Sequence, residues 1–345
     1  GRPGALYRAR KFARRHTTAV AAGGLILLTL TVASTVSTVL AVRATRAERL
    51  AQNRLDQVEA ANANLVAVNE FLAKDIIGSA DPAVTQRNRE MTVREALDNA
   101  AKSLAGRFNN QPQIELTIRE SIAWAYLSLG RADLSLPHAQ HIVDARKTKM
   151  GKDRPETINS MVIYGAVLKS LGRSAEARDV FEQAMNRSRA ALGPDHLETI
   201  NAMENYASIL IALGRLAEAE PLSREALERS RRVLGDDHPK TMVAVNNYAG
   251  LLYRQGRRAE AAPLLKEGVE RSTHLRGEDH PETLTQTNNY AFVLKELGRF
   301  DEAEPLYKQT LERRQRVLGE DHPLTMSSLG NYASLLHVMA RYDQA

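Results

Sequence analysis

Four adjacent carboxylate–imidazole pairs, Asp195/His196, Asp237/His238, Asp279/His280 and Asp321/His322, are the residues of this chain with the most evident chemistry. An acid beside an imidazole is what a general base or a metal site uses. Each pair sits in a phrase that returns every 42 residues: Gly151–Thr157 (GKDRPET), Gly193–Thr199 (GPDHLET), Gly235–Thr241 (GDDHPKT), Gly277–Thr283 (GEDHPET) and Gly319–Thr325 (GEDHPLT). A motif placed once per structural unit belongs to the unit. The expected role is therefore a turn. Asp caps the next helix, Glu198 or Glu282 three residues on completes a capping box, and Pro occupies the first turn. His138, His141 and Asp144 share a helix face and could hold a metal, but they occur once and have no further ligand nearby. No cofactor and no metal is expected.

A second pattern suits binding rather than catalysis. Asn205, Asn247, Asn289 and Asn331 occupy one position of successive repeats, and Asn246 and Asn288 precede two of them. Asn is a poor helix former, so its return in mid-helix needs a reason. A side-chain amide both donates and accepts, which suits an extended peptide backbone or a carboxylate. Ser208, Gly250, Phe292 and Ser334 lie close by in each helix, with Arg254 and Glu296 further along. The expected peptide-binding set is Asn205, Asn247, Asn289, Asn331, Asn246, Asn288 and Arg254. The other reading is a ladder of amides bonding neighbouring repeats, and the two can coexist. The column breaks at Ile163 and Ser121.

The elements that carry these residues follow from the period. Helix, short turn, helix, longer turn is expected over 114–150, 158–192, 200–234, 242–276 and 284–318, with a sixth first helix over 326–340. Tyr206, Leu210 and Leu213 match Tyr164, Leu168, Leu171 and Tyr290, Leu294, Leu297, spacings that share one helical face. Small residues beside the Tyr position (Ala123, Gly165, Ala207, Ala249, Ala291, Ala333) let the paired helices approach closely. Gly214-Arg215, Gly256-Arg257 and Gly298-Arg299 end the first helices. Pro221, Pro263 and Pro305 are expected to mark where the second helices begin.

The net charge of +6 comes from one place. Arg2, Arg8, Arg10, Lys11, Arg14 and Arg15 are basic, and outside them basic and acidic residues balance at 41 each. That balance argues against nucleic-acid binding. With no cysteine there is no disulfide or thiolate metal site. Residues 17–42 carry no charge, and a membrane helix needs about 20 such residues. A signal peptide has a shorter apolar core, about 7–15 residues. The basic run before the span puts the N-terminus in the cytoplasm and the repeats outside it. Leu55, Val58, Asn62, Leu65, Asn69, Leu72 and Ile76 form a short heptad seam, read either as a stalk that pairs two chains or as one amphipathic helix packing on the next segment. Residues 78–90 read as a loop, and Thr92 with Glu95 as a capping box for a helix reaching about Phe108. The chain starts at Gly1 and stops at Ala345 inside a repeat, so a piece of a longer protein is expected.

The Leu-Gly, Ala and Pro pattern, the 42-residue period and the Gly-x-Asp-His-Pro turns resemble tetratricopeptide repeats of the kinesin-light-chain type over 114–345. The resemblance implies an all-α, right-handed superhelix whose concave wall is built from first helices. It also implies that Asn205, Asn247, Asn289 and Asn331 contact bound peptide. Residues 1–112 resemble the segment after the catalytic domain in bacterial membrane-anchored serine/threonine protein kinases: a basic run, a membrane helix, then NEFLAKDIIGSADP (69–82) and TVREAL (92–97). The chain itself has no Gly-rich phosphate loop, no His-Arg-Asp and no Asp-Phe-Gly, so no enzyme is expected in it. The organisation expected is a basic juxtamembrane segment (1–16), a transmembrane helix (17–42), a helical stalk and linker (43–112) and the repeat array (114–345). The function expected is a membrane-anchored protein- or peptide-binding module outside the cytoplasm. The alternative is a scaffold that works through its convex surface.

Overall fold

The computed structural model describes residues 92–104, 107–108 and 111–339, with single residues at positions 4, 43, 45 and 46. The basic run, the apolar span 17–42, the seam from Leu55 to Ile76 and the loop 78–90 lie outside the described residues. Among the described residues no helix is long and apolar enough to cross a membrane. The chain divides into two units, 1–78 and 79–345, and the twelve helices that follow belong to the second. No strand occurs among the described residues.

The first helix, α1 (Val93–Ser103), opens with the expected capping box. Thr92 Oγ1 accepts from the Glu95 N–H at 3.2 Å and Glu95 Oε2 accepts from the Thr92 N–H at 2.9 Å. The helix stops at Ser103, short of Phe108. Tyr126 donates its hydroxyl proton to Asp98 at 2.7 Å and so ties α1 to the array. Five helix pairs follow: α2 (Pro112–Ser128) with α3 (Ala132–Lys149), α4 (Pro155–Ser170) with α5 (Ser174–Leu192), α6 (Leu197–Ala212) with α7 (Leu216–Leu234), α8 (Pro239–Arg254) with α9 (Arg258–Arg276), and α10 (Pro281–Glu296) with α11 (Phe300–Leu318). The sixth first helix is α12 (Pro323–Val338).

The turns explain both ends of each helix. At Gly214 the chain adopts φ 76°, a left-handed conformation open to glycine at little cost. The Arg215 N–H then reaches the Leu210 carbonyl at 2.9 Å and the Gly214 N–H reaches Ile211 at 3.1 Å, which satisfies the last carbonyls of α6. The longer turns use glycines of the same hand, so left-handed glycines recur from Gly130 to Gly319 at every 21st residue.

Three local expectations are corrected. Asp does not cap the first helices; His does. Nδ1 of His196, His238, His280 and His322 accepts the backbone N–H two residues on, at 3.1–3.2 Å. The cap moves each start to residue 197, 239, 281 or 323, three residues earlier than the apolar period suggested. Pro221, Pro263 and Pro305 do not mark the second helix starts either. They lie inside helices that begin five residues earlier, at Leu216, Arg258 and Phe300. Finally Leu213 is exposed (39%), because it is the C-cap of α6 and has left the buried face of Tyr206 and Leu210.

The freed Asp residues pair elsewhere. Asp153, Asp237 and Asp279 accept from Arg187, Arg271 and Arg313 at 3.0, 2.8 and 2.9 Å, each 34 residues away at the far end of the same repeat. The Thr of the phrase donates its hydroxyl to the Gly six residues back at 2.7–2.8 Å, at Thr157, Thr199, Thr241 and Thr325. The whole phrase is thus accounted for by backbone and loop bonds.

The small residues beside the Tyr position are buried from Ala123 to Ala291. At Gly165 the need is strict: an added Cβ would lie 2.6 Å from Phe181 Cε1. Beyond the sequential packing of each helix on the next, the first helices touch one another directly, α2 with α4, α4 with α6, α6 with α8 and α10 with α12. The second helices have no comparable mutual contacts. The first helices therefore form the inner, shorter wall of the solenoid, and the Asn column lies on them.

Candidate functional site

The amides of the column are partly taken up by the array itself. Asn289 Nδ2 donates to Asn246 Oδ1 at 3.0 Å, and Asn331 Nδ2 donates to Asn288 Oδ1 at 3.2 Å. Both bonds join first helices of adjacent repeats across 43 residues. Asn205 turns inward on its own helix, donating to the Asn201 carbonyl at 2.9 Å. The ladder reading thus holds for three of the four column residues or their neighbours. Asn247 is different. It is exposed, and its rung partner would be Glu204, one repeat earlier. That rung is not formed.

A pocket of about 260 Å³ opens where the rung is missing. Asn246, Asn247, Gly250 and Arg254 of α8 line one side, and Glu204 and Ser208 of α6 the other. Its apolar lining comes from Ala207, Ile211, Ala226, Ala244 and Leu251. Small-molecule pockets run to about 300–1,000 Å³, so this one suits a side chain of a longer ligand. The Ser208 hydroxyl accepts from Lys169 at 2.8 Å, and burial pulls the Lys169 ammonium below its ordinary pKa. The same contact recurs two repeats on, where Lys295 donates to Ser334 at 3.2 Å.

Glu204 is the chemically unusual member. Its Oε1 is buried and has no hydrogen-bond partner. Burial pushes its carboxyl pKa up to about 7, against a weaker opposing pull from Lys240. Two repeats earlier the same position is Glu120, and there the carboxylate is fully engaged. Arg146 pairs with Glu120 Oε2 at 2.7 Å, and Asn159 donates to Oε1 at 2.8 Å. At the positions equivalent to Arg146 and Asn159, Glu204 has Ser230 and Val243. The Ser230 hydroxyl is itself buried and without a partner.

A family model described as tetratricopeptide repeat matches residues 114–190, 162–220, 198–274 and 282–345. The chain belongs to the tetratricopeptide repeat family. Its array is similar in fold to the crystal structure of the kinesin light chain of Podosopora anserina, with nearly identical TPR-like repeats, at 19% identity and a TM-score of 0.53 over 59% of this chain and 96% of that one. It is also similar to BtubC (BKLC) from P. vanneervenii, at 18% identity and a TM-score of 0.56 over 66% and 91% of the two chains. A Rap protein complexed with competence and sporulation factor matches at 13% identity and a TM-score of 0.51, over 82% of this chain and 94% of that one. Among curated proteins, nothing matches. Tetratricopeptide repeat proteins are in general non-catalytic scaffolds, and the array is suited to protein–protein interaction.

Of the seven sequence-derived site residues, the tetratricopeptide fold brings Asn246, Asn247 and Arg254 to one pocket. Asn205, Asn288, Asn289 and Asn331 lie on the same wall but outside that pocket's lining. Phe292 packs edge-on against Tyr253, with ring centroids 5.2 Å apart. The Asp-His turns stay apart from the wall residues, held in the loop bonds described above. Among the described residues no group of three or more His, Cys, Asp or Glu could hold a metal. His138 lies against Arg119 at 3.4 Å and close to the Tyr126 ring; burial and the Arg119 charge push it down to about 4. Asp144 accepts from Gln140 at 2.8 Å. Glu204 itself was missed by the sequence reading. The signal was present, since Glu120, Glu204, Asn246 and Asn288 share one repeat position, but only the amides were followed.

Proposed function

We propose that the inner wall of the array binds a peptide segment of a partner protein, with the pocket at Asn246, Asn247 and Arg254 as its centre. The observation that carries this reading is the missing rung. Asn247 holds a free amide beside an open pocket, where its counterparts Asn289 and Asn331 bond to the preceding repeat. A free amide in an otherwise closed ladder can pair with a peptide backbone. The Rap protein of similar fold is complexed with competence and sporulation factor, which supports the same use of a helical wall.

Peptides selected from a random linear library on the full chain should lose at least about tenfold in affinity with Asn247→Ala, a change of about 1.4 kcal/mol. Because Asn247 bonds nothing within the array, the substitution leaves stability within about 0.5 kcal/mol. Undiminished affinity in this variant would place the binding surface elsewhere. A second reading has its own observation. Asn205, Asn289 and Asn331 already have bonds inside the array, so this stretch of the wall can be structural and partners can dock on the second helices. Protection of α7, α9 and α11 by a bound partner, with α6 and α8 unchanged, would favour that scaffold.

The chain is further read as the membrane-held part of a bacterial receptor-like protein, with a serine/threonine kinase as its parent. Residues 17–42 span the membrane in this reading, the N-terminus is cytoplasmic and the array is extracytoplasmic, with the seam at 55–76 able to pair two chains. The uncharged span directly after six basic residues supports it. The chain has no cysteine, so one introduced at exposed Glu312 is a clean reporter. It should react with a membrane-impermeant maleimide on intact cells. Labelling only after lysis would reverse the topology.

A further inference from the structure

We propose that Glu204 receives the basic side chain, lysine or arginine, of a peptide ligand laid along the inner wall, an inference that rests on the groove reading above and names its chemistry. The argument is internal to the chain. The position occupied by Glu204 has been solved once already, at Glu120, and the solution is a guanidinium with an amide. Arg146 reaches Glu120 Oε2 at 2.7 Å from α3, and Asn159 donates to Oε1 at 2.8 Å from α4. Arg146 is itself anchored, donating to Ser160 Oγ at 2.8 Å and the Glu156 carbonyl at 3.0 Å. At Glu204 the carboxylate is kept and its satisfiers are removed. Arg146 becomes Ser230, Ser160 becomes Ala244, and Asn159 becomes Val243.

The consequences are those of a vacated cation position. Glu204 Oε1 and Ser230 Oγ are both buried without partners, and a buried carboxylate without a partner is costly. Ala244, in place of a bulkier serine, lines the pocket with Glu204. The amide that Asn159 supplies at Glu120 has an equivalent on the other side, since Asn246 and Asn247 line the same pocket.

No charged group nearby fills the position. From α8, Lys240 pulls on Glu204 only electrostatically, and Arg254 borders the pocket without an ion pair to it. From α4, Lys169 is held by Ser208. From α5, Arg189 reaches α6 at Met203, and its guanidinium is taken by Glu225 at 2.8 Å. From α7 the pocket receives only Ser223 and Ala226. A ligand's ammonium or guanidinium would therefore be the direct counter-ion of Glu204. Its binding is linked to pH. A cation selects the ionised carboxyl, so affinity rises as pH climbs through about 7 and levels off above it.

The test uses the full chain and a random linear peptide library, selected at pH 8. Selected peptides should carry lysine or arginine. Replacing that residue by norleucine should weaken binding at least about tenfold at pH 8. Glu204→Gln should weaken the basic peptide to the same degree and abolish an otherwise about tenfold gain between pH 6 and 8. Ser230→Arg with Ala244→Ser rebuilds the Arg146–Ser160 pair beside Glu204 and should close the site; should that variant fail to fold, Glu204→Gln decides. Peptides that need Asn247 but are indifferent to both norleucine and Glu204→Gln would overturn this inference and leave the groove standing. Affinity that rises as pH falls would overturn it too, by making Glu204 a proton donor to a ligand carbonyl. Recovery of no binding peptide would overturn both readings.

Discussion

Replacing Glu204 with glutamine will stabilise the array by about 3 kcal/mol above pH 7 and by almost nothing at pH 4.5. The reason is the position of its proton. In the unfolded chain the carboxyl titrates near 4.5, whereas burial keeps it protonated in the fold to about 7. Between those values the folded chain holds the extra proton, so stability falls as pH rises across the window. A shift of that size, at about 1.4 kcal/mol per unit, gives the expected total. Glutamine keeps the shape and cannot ionise, so the loss disappears. Urea unfolding midpoints of the two proteins, compared from pH 4.5 to 8, measure the difference directly. His138 titrates in the opposite sense: its pKa is lowered to about 4, so its contribution is lost as pH falls from 6.5. It is common to both proteins and cancels from the comparison. A constant offset between them at all pH values would mean that Glu204 is not desolvated. A residue that costs stability at neutral pH and is nevertheless placed on a pocket wall is where function is to be sought.

The second large effect is expected at Glu120. Arg146→Met should cost about 3 kcal/mol, since it removes the cation from a carboxylate that remains half-buried. Adding Glu120→Leu should recover most of that loss, because an apolar pair carries no desolvation penalty. In a solenoid each repeat leans only on its neighbours, so the damage stays local. Amide hydrogen exchange should accelerate from α2 to α4 and stay unchanged in α8 to α12. Uniform acceleration along the chain, or a double variant as unstable as the single one, would remove the claim that this ion pair holds the first repeat. Arg314 occupies the same repeat position near the other end. It is buried and donates to Ser328 Oγ at 2.8 Å and the Leu324 carbonyl at 2.9 Å. The three intervening positions are Ser188, Ser230 and Ser272, all buried.

The period, the helix pairs and the glycine turns were legible in the sequence because each answers to a backbone demand made identically in every repeat. Gly214 and its counterparts must be left-handed, and Tyr206 and Leu210 must face inward. What escaped was set by partners far off in sequence. Asp195 and His196 look alike as capping residues until Arg229 and Arg232 claim the aspartate and leave the histidine to cap. Pro221 looks like a helix start until Arg215, bonded to Glu218, is seen to begin the helix earlier. The Asn column looks uniform. Its meaning differs by rung, because Asn289 and Asn331 meet an asparagine in the preceding repeat and Asn247 meets a glutamate. No window of one repeat contains that information. The comparison of Glu120 with Glu204 needs residues up to two repeats apart.

The evenly spaced left-handed glycines, one at every 21st residue from Gly130 to Gly319, also constrain how this chain can change in length. One residue gained or lost inside a helix rotates everything beyond it by about 100°, turning a buried row toward water. Half a period would exchange inner for outer helices and misalign the Asn246–Asn289 and Asn288–Asn331 rungs. Only steps of the full 42 residues restore every contact. The array can therefore grow or shrink by whole copies, and the distance from the Glu204 pocket to either end is counted in repeats, not in residues.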